Sequence, residues 1–119
     1  MAVEKLDRAE WRSFFDHMSK AIVGKRAEIE VASLALGDQI EVEWLPVLGI
    51  TYDHKDNIIV IALEGLDHLI DNPSEVYVDQ GPGGLANLEI IDAKDTRQIV
   101  KLRDPLMLPP SASSSAAAG

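Results

Sequence analysis

The chain has 119 residues, 46% hydrophobic and 26% charged, with 20 acidic against 11 basic side chains and a net charge of −9. That length suits one domain with a single core, and the negative field disfavours nucleic acid, whose binding rests on Lys and Arg displacing counterions. The absence of cysteine excludes disulfides, thiolate zinc sites and cysteine nucleophiles and points to a cytoplasmic setting.

No run of about 18 apolar residues is present, so no membrane span is expected. The opening MAVEKLDRAEW lacks the basic-then-apolar pattern of a secretory signal.

The first predicted element is a helix over Asp7 to Lys20. Trp11, Phe14, Phe15 and Met18 recur at i, i+3, i+4 and i+7 and form one apolar stripe. Asp7 and Glu10 have the spacing of a capping box, Leu6 and Trp11 that of a hydrophobic staple. Lys20 suits the negative end of the helix dipole, and Gly24 ends the segment.

The period then changes from 3.6 to 2. Ala27, Ile29 and Val31 alternate with Arg26, Glu28 and Glu30, the pattern of a half-buried strand. Gly37-Asp38 marks a turn. From Ile40 one phase runs through Val42, Trp44, Leu48, Ile50 and Tyr52, with Pro46 and Gly49 inside it. The reading is one long bent strand, or two meeting at a corner, edge-like or bulged at the proline.

DHKDN is the next turn. Ile58 to Leu63, IIVIAL, has no alternation and reads as a central strand. In GLDHLIDNP, Leu66, Leu69 and Ile70 have helical spacing for one turn, stopped before Pro73. SEVYVD is a short strand, QGPGG a loop, and LANLEIIDAKDTRQIVKL a hairpin turning over Asp92 to Thr96. Residues 1–104 are expected to form the domain. Residues 105–119, rich in Pro, Ser and Ala, are expected to be a disordered tail. The predicted fold class is α+β, mainly β: an N-terminal helix packed on a bent five- to six-stranded antiparallel sheet or small barrel.

The most chemistry-rich stretch is GITYDHKDNIIVIALEGLDHLIDNP, with His54 and His68. Metal sites want His and carboxylates converging at short spacings. Here the predicted strand sets the two histidines in loops at its opposite ends, so no metal and no cofactor is expected within one subunit. There is no GxSxG, phosphate loop or GxGxxG, so no catalytic residue is assigned. Loop residues are where function concentrates, and the binding candidates are Tyr52, Asp53, His54, Asp56, Asn57, Asp67 and His68. A second candidate is an acidic face. Paired first and second strands would set Glu28, Glu30, Glu41 and Glu43 outward together, as a surface for a basic partner or a divalent cation, or as a guard against edge-to-edge aggregation.

Two resemblances follow from these residues. GITYDHKDNIIVIALEG is similar to the first motif of Sm-like RNA-binding proteins, with Gly49, an aromatic at Tyr52, then Asp53 and Asn57 before an apolar strand. That resemblance implies ring-forming barrels with a uridine pocket. The family's second motif, a strand ending in Arg-Gly, has no counterpart near VYVDQ or TRQIVKL. Trp11, LGDQIEVEWLPVLGITYDHKDN and LDHLIDNPSEVYVD resemble a family of small bacterial proteins known only as a domain of unknown function, over about Trp11 to Leu102. That resemblance implies no activity.

The expected function is a non-enzymatic β-rich module that acts by self-assembly as a homo-oligomer or by binding a protein partner. The alternatives are a binder of single-stranded RNA or a nucleotide through Tyr52, Asp53 and Asn57, and a metal-dependent enzyme using His54 and His68 across a subunit interface.

Overall fold

The computed structural model describes residues 2–35, 37–81 and 84–104. The expected tail over 105–119 lies outside the described residues.

Strand β1 (Ala2–Leu6) leads into a 3-10 turn (Arg8–Glu10) and helix α1 (Trp11–Ile22). Seven strands follow: β2 (Arg26–Ser33), β3 (Gly37–Asp53), β4 (Ile58–Leu63), β5 (Leu66–Asp71), β6 (Pro73–Gly81), β7 (Gly84–Asp92) and β8 (Arg97–Arg103). They form one eight-stranded sheet in the order β1-β6-β7-β8-β2-β3-β4-β5, and every neighbouring pair is antiparallel. The mainly-β class with one helix is as read from the sequence. The strand count is not, and the sheet is open, ending at β1 and β5.

The two additional strands have physical reasons. β1 shows no alternation, because only Leu6 reaches the core while Val3, Glu4 and Lys5 are exposed; pairing with β6 makes it a strand. β5 replaces the expected helical turn. One isolated turn fixes several dihedrals for a single hydrogen bond, whereas a ladder to β4 from Leu63–Leu66 to Ile58–Asp71 satisfies the same backbone.

The helix begins with its 3-10 turn, where the Glu10 N–H bonds the Asp7 carbonyl at 2.9 Å. Asp7 makes no side-chain capping bond, so the expected capping box is not formed: the amide it would cap is taken by the backbone. Trp11, Phe15 and Ile22 are buried, with Phe14 and Met18 packed against the core.

β3 organises the fold. Its first part pairs with β2 as far as Pro46, and its last part, from Val47, pairs with β4. Two register shifts against β2 and one against β4 each insert an extra residue on β3. Each insertion flips the side-chain phase. Val47 is therefore buried while Leu48 is 58% exposed, and Ile40 is 48% exposed, against the single even-numbered phase expected. Pro46 sits where the strand leaves β2, and its carbonyl accepts from the Glu64 N–H at 3.0 Å.

Where β2 has departed, α1 covers the vacated edge of β3. The Ile50 N–H donates to Ser19 Oγ at 3.0 Å. A Cβ at Gly49 would lie 2.8 Å from the same oxygen, so glycine permits the close approach. The sheet folds over itself around β3. His68 of β5 thereby meets Gln98 of β8 at 2.6 Å, and the buried side chains of both halves enclose one core. Among the described residues, no helix is long and apolar enough to cross a membrane.

Candidate functional site at the β3–β4 turn

The turn after β3 is built on local capping. Asp53 Oδ1 accepts from the Lys55 N–H at 3.0 Å and the Asp56 N–H at 3.3 Å. The bond from the Asp56 amide, then that from Lys55, holds the Asp53 carboxyl below its ordinary range against the opposing effect of burial. Asn57 closes the turn in the left-handed region, φ 54°, a conformation asparagine tolerates.

The β4–β5 hairpin brings the chain back to this turn. The Asn72 N–H donates to the Asn57 carbonyl at 2.9 Å, and the Ala93 N–H donates to the Asn72 carbonyl at 2.9 Å. Asp92 shapes the third loop as Asp53 shapes the first, accepting from the Lys94 and Thr96 N–H groups at 2.8 and 3.0 Å. Three loops are thus strung together at one end of the molecule. Between them lies a groove of about 460 Å³, lined by Asp56, Leu69, Asp71, Asp92, Lys94 and Gln98 among others.

Beside the groove, Arg8 draws the start of the helix onto the turn. Its guanidinium donates to Tyr52 Oη at 3.0 Å, to Asn57 Oδ1 at 3.2 Å and to the Pro73 carbonyl at 2.8 Å. It also lies 4.4 Å above the Trp11 ring, within cation–π range. Tyr52 Oη donates to Asn57 Oδ1 at 2.8 Å, and its ring meets Trp11 edge-on at 5.2 Å. Tyr52 is 7% exposed, so its face is covered by the helix rather than open for a base to stack.

Of the sequence-derived candidates, Tyr52 and Asn57 come together through Arg8, and Asp56 joins the groove. Asp53 is committed to its turn, and His54 is exposed within it. Asp67 lies on the outer side of β5, opposite Ala62. His68 is not in a far loop as expected. It sits within β5, opposite Ile61, and faces the core side. Among the described residues, no three His, Asp or Glu side chains converge to hold a metal. Arg8, Asp71, Asn72 and Lys94 were not singled out by sequence; Asn72, which directly precedes Pro73 and stands at φ 53°, was the one available hint.

The expected four-glutamate face is interrupted. Glu30 lies opposite Ile40, because the β3 bulge leaves Glu41 without a partner, and Glu43 falls in the irregular stretch between Val42 and Leu45. Glu28 pairs with Lys101 at 3.5 Å. A hydrogen bond with Asp38, then burial, raises the Glu30 carboxyl above its usual range.

Residues 2–111 match the family of unknown function DUF5335. The chain belongs to that family. A relative from Aquifex aeolicus (strain VF5), described as an uncharacterized protein, is 36% identical over 110 residues, covering 92% of this chain and 99% of the relative. No solved structure matches the chain. The DUF5335 match spans α1, the bent β3 and the three-loop end described above.

Proposed function

We propose that this protein is a non-enzymatic cytoplasmic module that binds an extended segment of a basic protein partner along β5. The observation that carries the reading is the open edge. Among the described residues β5 pairs only with β4. The two-residue turn at Glu64-Gly65 makes Leu63–Leu66 a hydrogen-bonded pair, so bonding alternates from there. The bond from Asn72 to Asn57 has the same parity. Asp67, Leu69 and Asp71 therefore aim their N–H and C=O groups away from β4. Leu66 and Leu69, 44% and 54% exposed, supply apolar contact.

Strand addition of this kind takes affinity from backbone bonds and specificity from alternate side chains. Asp67 and Asp71 flank Leu69 on the outer side. Two copies paired antiparallel about Leu69 would set Asp67 against Asp71, and like charges directly opposite are destabilising. A strand with lysines at alternate positions meets them favourably, in keeping with the net charge of −9.

The test is a two-dimensional amide NMR titration with the peptide acetyl-Lys-Val-Lys-Val-Lys-amide. Shifts are expected along Leu66–Asp71 and lost in Leu69→Pro, which removes an outward N–H and no bond to β4. Absence of shifts on β5, or shifts unchanged in Leu69→Pro, overturns the reading. Concentration-dependent dimers that Leu69→Pro dissolves would put a second copy in place of the basic partner.

A further inference from the structure

The groove between the three loops lies against the open edge of β5, and the two share residues. Leu69 and Asp71 line the groove and also turn their main-chain N–H and C=O groups away from β4. Across from them stand Asp92, Lys94 and Gln98, from the β7–β8 turn and the start of β8. A strand added to β5 has this groove beside its end at Asp71.

Three carboxylates gather there. The main-chain bonds from Asn72 to Asn57 and from Ala93 to Asn72, both 2.9 Å, link the loops. Asp56, Asp71 and Asp92 each stand one residue before a member of that linked set and line the groove. No Lys or Arg among the described residues pairs with any of them. Asp92 uses Oδ1 for the Lys94 and Thr96 amides, and its Oδ2 is not part of that turn. Against the three carboxylates the groove sets the ammonium of Lys94.

The second feature is Gln98, 8% exposed. Its Oε1 accepts from His68 Nε2 at 2.6 Å. Its Nε2 carries two donor protons and bonds nothing in the chain. That nitrogen is not sealed in, because Asp79 Oδ1 is the single buried side-chain atom without a partner among the described residues. Gln98 Nε2 therefore opens into the groove that the side chain lines. A donor in a nearly closed site calls for an acceptor.

A ligand of this groove must bring a cation and an acceptor together. A divalent ion brings no acceptor, and among the described residues no three His, Asp or Glu side chains converge to hold one. Carboxylates spread along a groove suit a planar guanidinium, with five donors in a fixed fork, better than the compact ammonium of lysine. An extended peptide supplies the acceptor, since alternate peptide groups of an added strand face away from β5.

We propose that the groove selects an arginine in the partner segment, its guanidinium across Asp71 and Asp92 and a main-chain carbonyl of the segment on Gln98 Nε2. This rests on strand addition at β5 and names the residue that the basic partner carries at one end.

The experiment is an amide NMR titration of the full chain with acetyl-Lys-Val-Lys-Val-Lys-amide and with its two variants bearing arginine in the first or the last position. Centred on Leu69, an antiparallel strand sets its first residue opposite Asp71 and a parallel strand its last. One arginine peptide is expected to bind about tenfold tighter than the lysine peptide, the order of one added hydrogen bond between charged groups. Its binding should move the Gln98 side-chain NH2 signals together with the Asp92 and Lys94 amides. In Asp71→Asn the preference for arginine should vanish, and Gln98→Met should bind the arginine peptide about fivefold more weakly. Shifts along Leu66–Asp71 with equal affinity for arginine and lysine overturn this proposal and leave strand addition standing, as does a Gln98 side chain that stays unmoved. No shift along β5 with any peptide overturns both. Should Gln98→Met not fold, Asp71→Asn, at an exposed residue, and the Gln98 signals of the parent decide the matter in the same way.

Discussion

Arg8 offers the sharpest test of how the three-loop end is held. In Arg8→Met the aliphatic stem still covers Trp11, but the bonds to Tyr52, Asn57 and the Pro73 carbonyl are lost. Pro73 is buried, so its carbonyl loses a donor where water has little access, a cost of about 1–2 kcal/mol. The shared bonds to Tyr52 and Asn57 lie nearer solvent and contribute about 0.5–1 kcal/mol. The stacking over Trp11 adds about 0.5–1 kcal/mol at an exposed residue. Together these sum to about 2–4 kcal/mol, an upper range because contacting groups do not add fully. For a domain of this size that corresponds to roughly 10–25 °C in Tm. Urea unfolding followed by circular dichroism should show a lower midpoint with unchanged slope. A double-mutant cycle with Tyr52→Phe should return a coupling of about 0.5–1 kcal/mol. Arg8→Met within about 0.5 kcal/mol of the parent, together with zero coupling, would refute the idea that Arg8 fastens the turn.

Gly49→Ala should cost about 1–3 kcal/mol by crowding Ser19 Oγ, and Ser19→Ala about 1–2 kcal/mol by orphaning the Ile50 amide. Their combination should cost less than the sum of the two in urea midpoints, and strict additivity would contradict the helix–strand contact. Two carboxylates should tilt the pH profile in opposite senses. Glu30 has a raised folded pKa, so its contribution is present below its unfolded value and lost as pH rises through the folded one. Glu30→Gln should therefore stabilise the protein at pH 7 and lose that advantage in acid. Asp53 has a lowered folded pKa, so its contribution is present above the unfolded value and lost as pH falls through the folded one. Asp53→Ala should destabilise at neutral pH and progressively less in acid, read from thermal melts at several pH values; the opposite trends would discard these assignments.

The elements that could be read from sequence are those whose pattern is local. Ala27 and Ile29 alternate because β2 has one face in the core, and the Asp92–Thr96 turn carries its own capping residue. β5 could not be read, since an edge strand leaves Leu66 and Leu69 in solvent and thereby erases its alternation. The phase of β3 was legible only in part, because a bulge is a property of pairing rather than of composition. The candidate site divides along the same line. Tyr52, Asp53 and Asn57 lie within one turn and could be grouped from their spacing. Arg8 bonds residues between 44 and 65 positions away, and nothing near Arg8 in the chain records that distance.

The place of β1 in the sheet bears on how the protein assembles. The hairpins β2–β3, β3–β4, β4–β5, β6–β7 and β7–β8 can each close over a short span, but β2 must find β8, and Lys5 must find Tyr77, about seventy residues later. Closing so long a loop costs entropy that nearer pairs avoid, and such non-local pairing slows folding. The first strand of the chain is thus expected to dock after those hairpins have formed, its amides gaining protection after those of β4 in pulsed hydrogen exchange. Arg8, two residues beyond β1, reaches Pro73 at the start of β6 in the same step. Capture of the leading strand and fastening of the loop cluster then become a single kinetic event, so a slow phase that reports one should report the other.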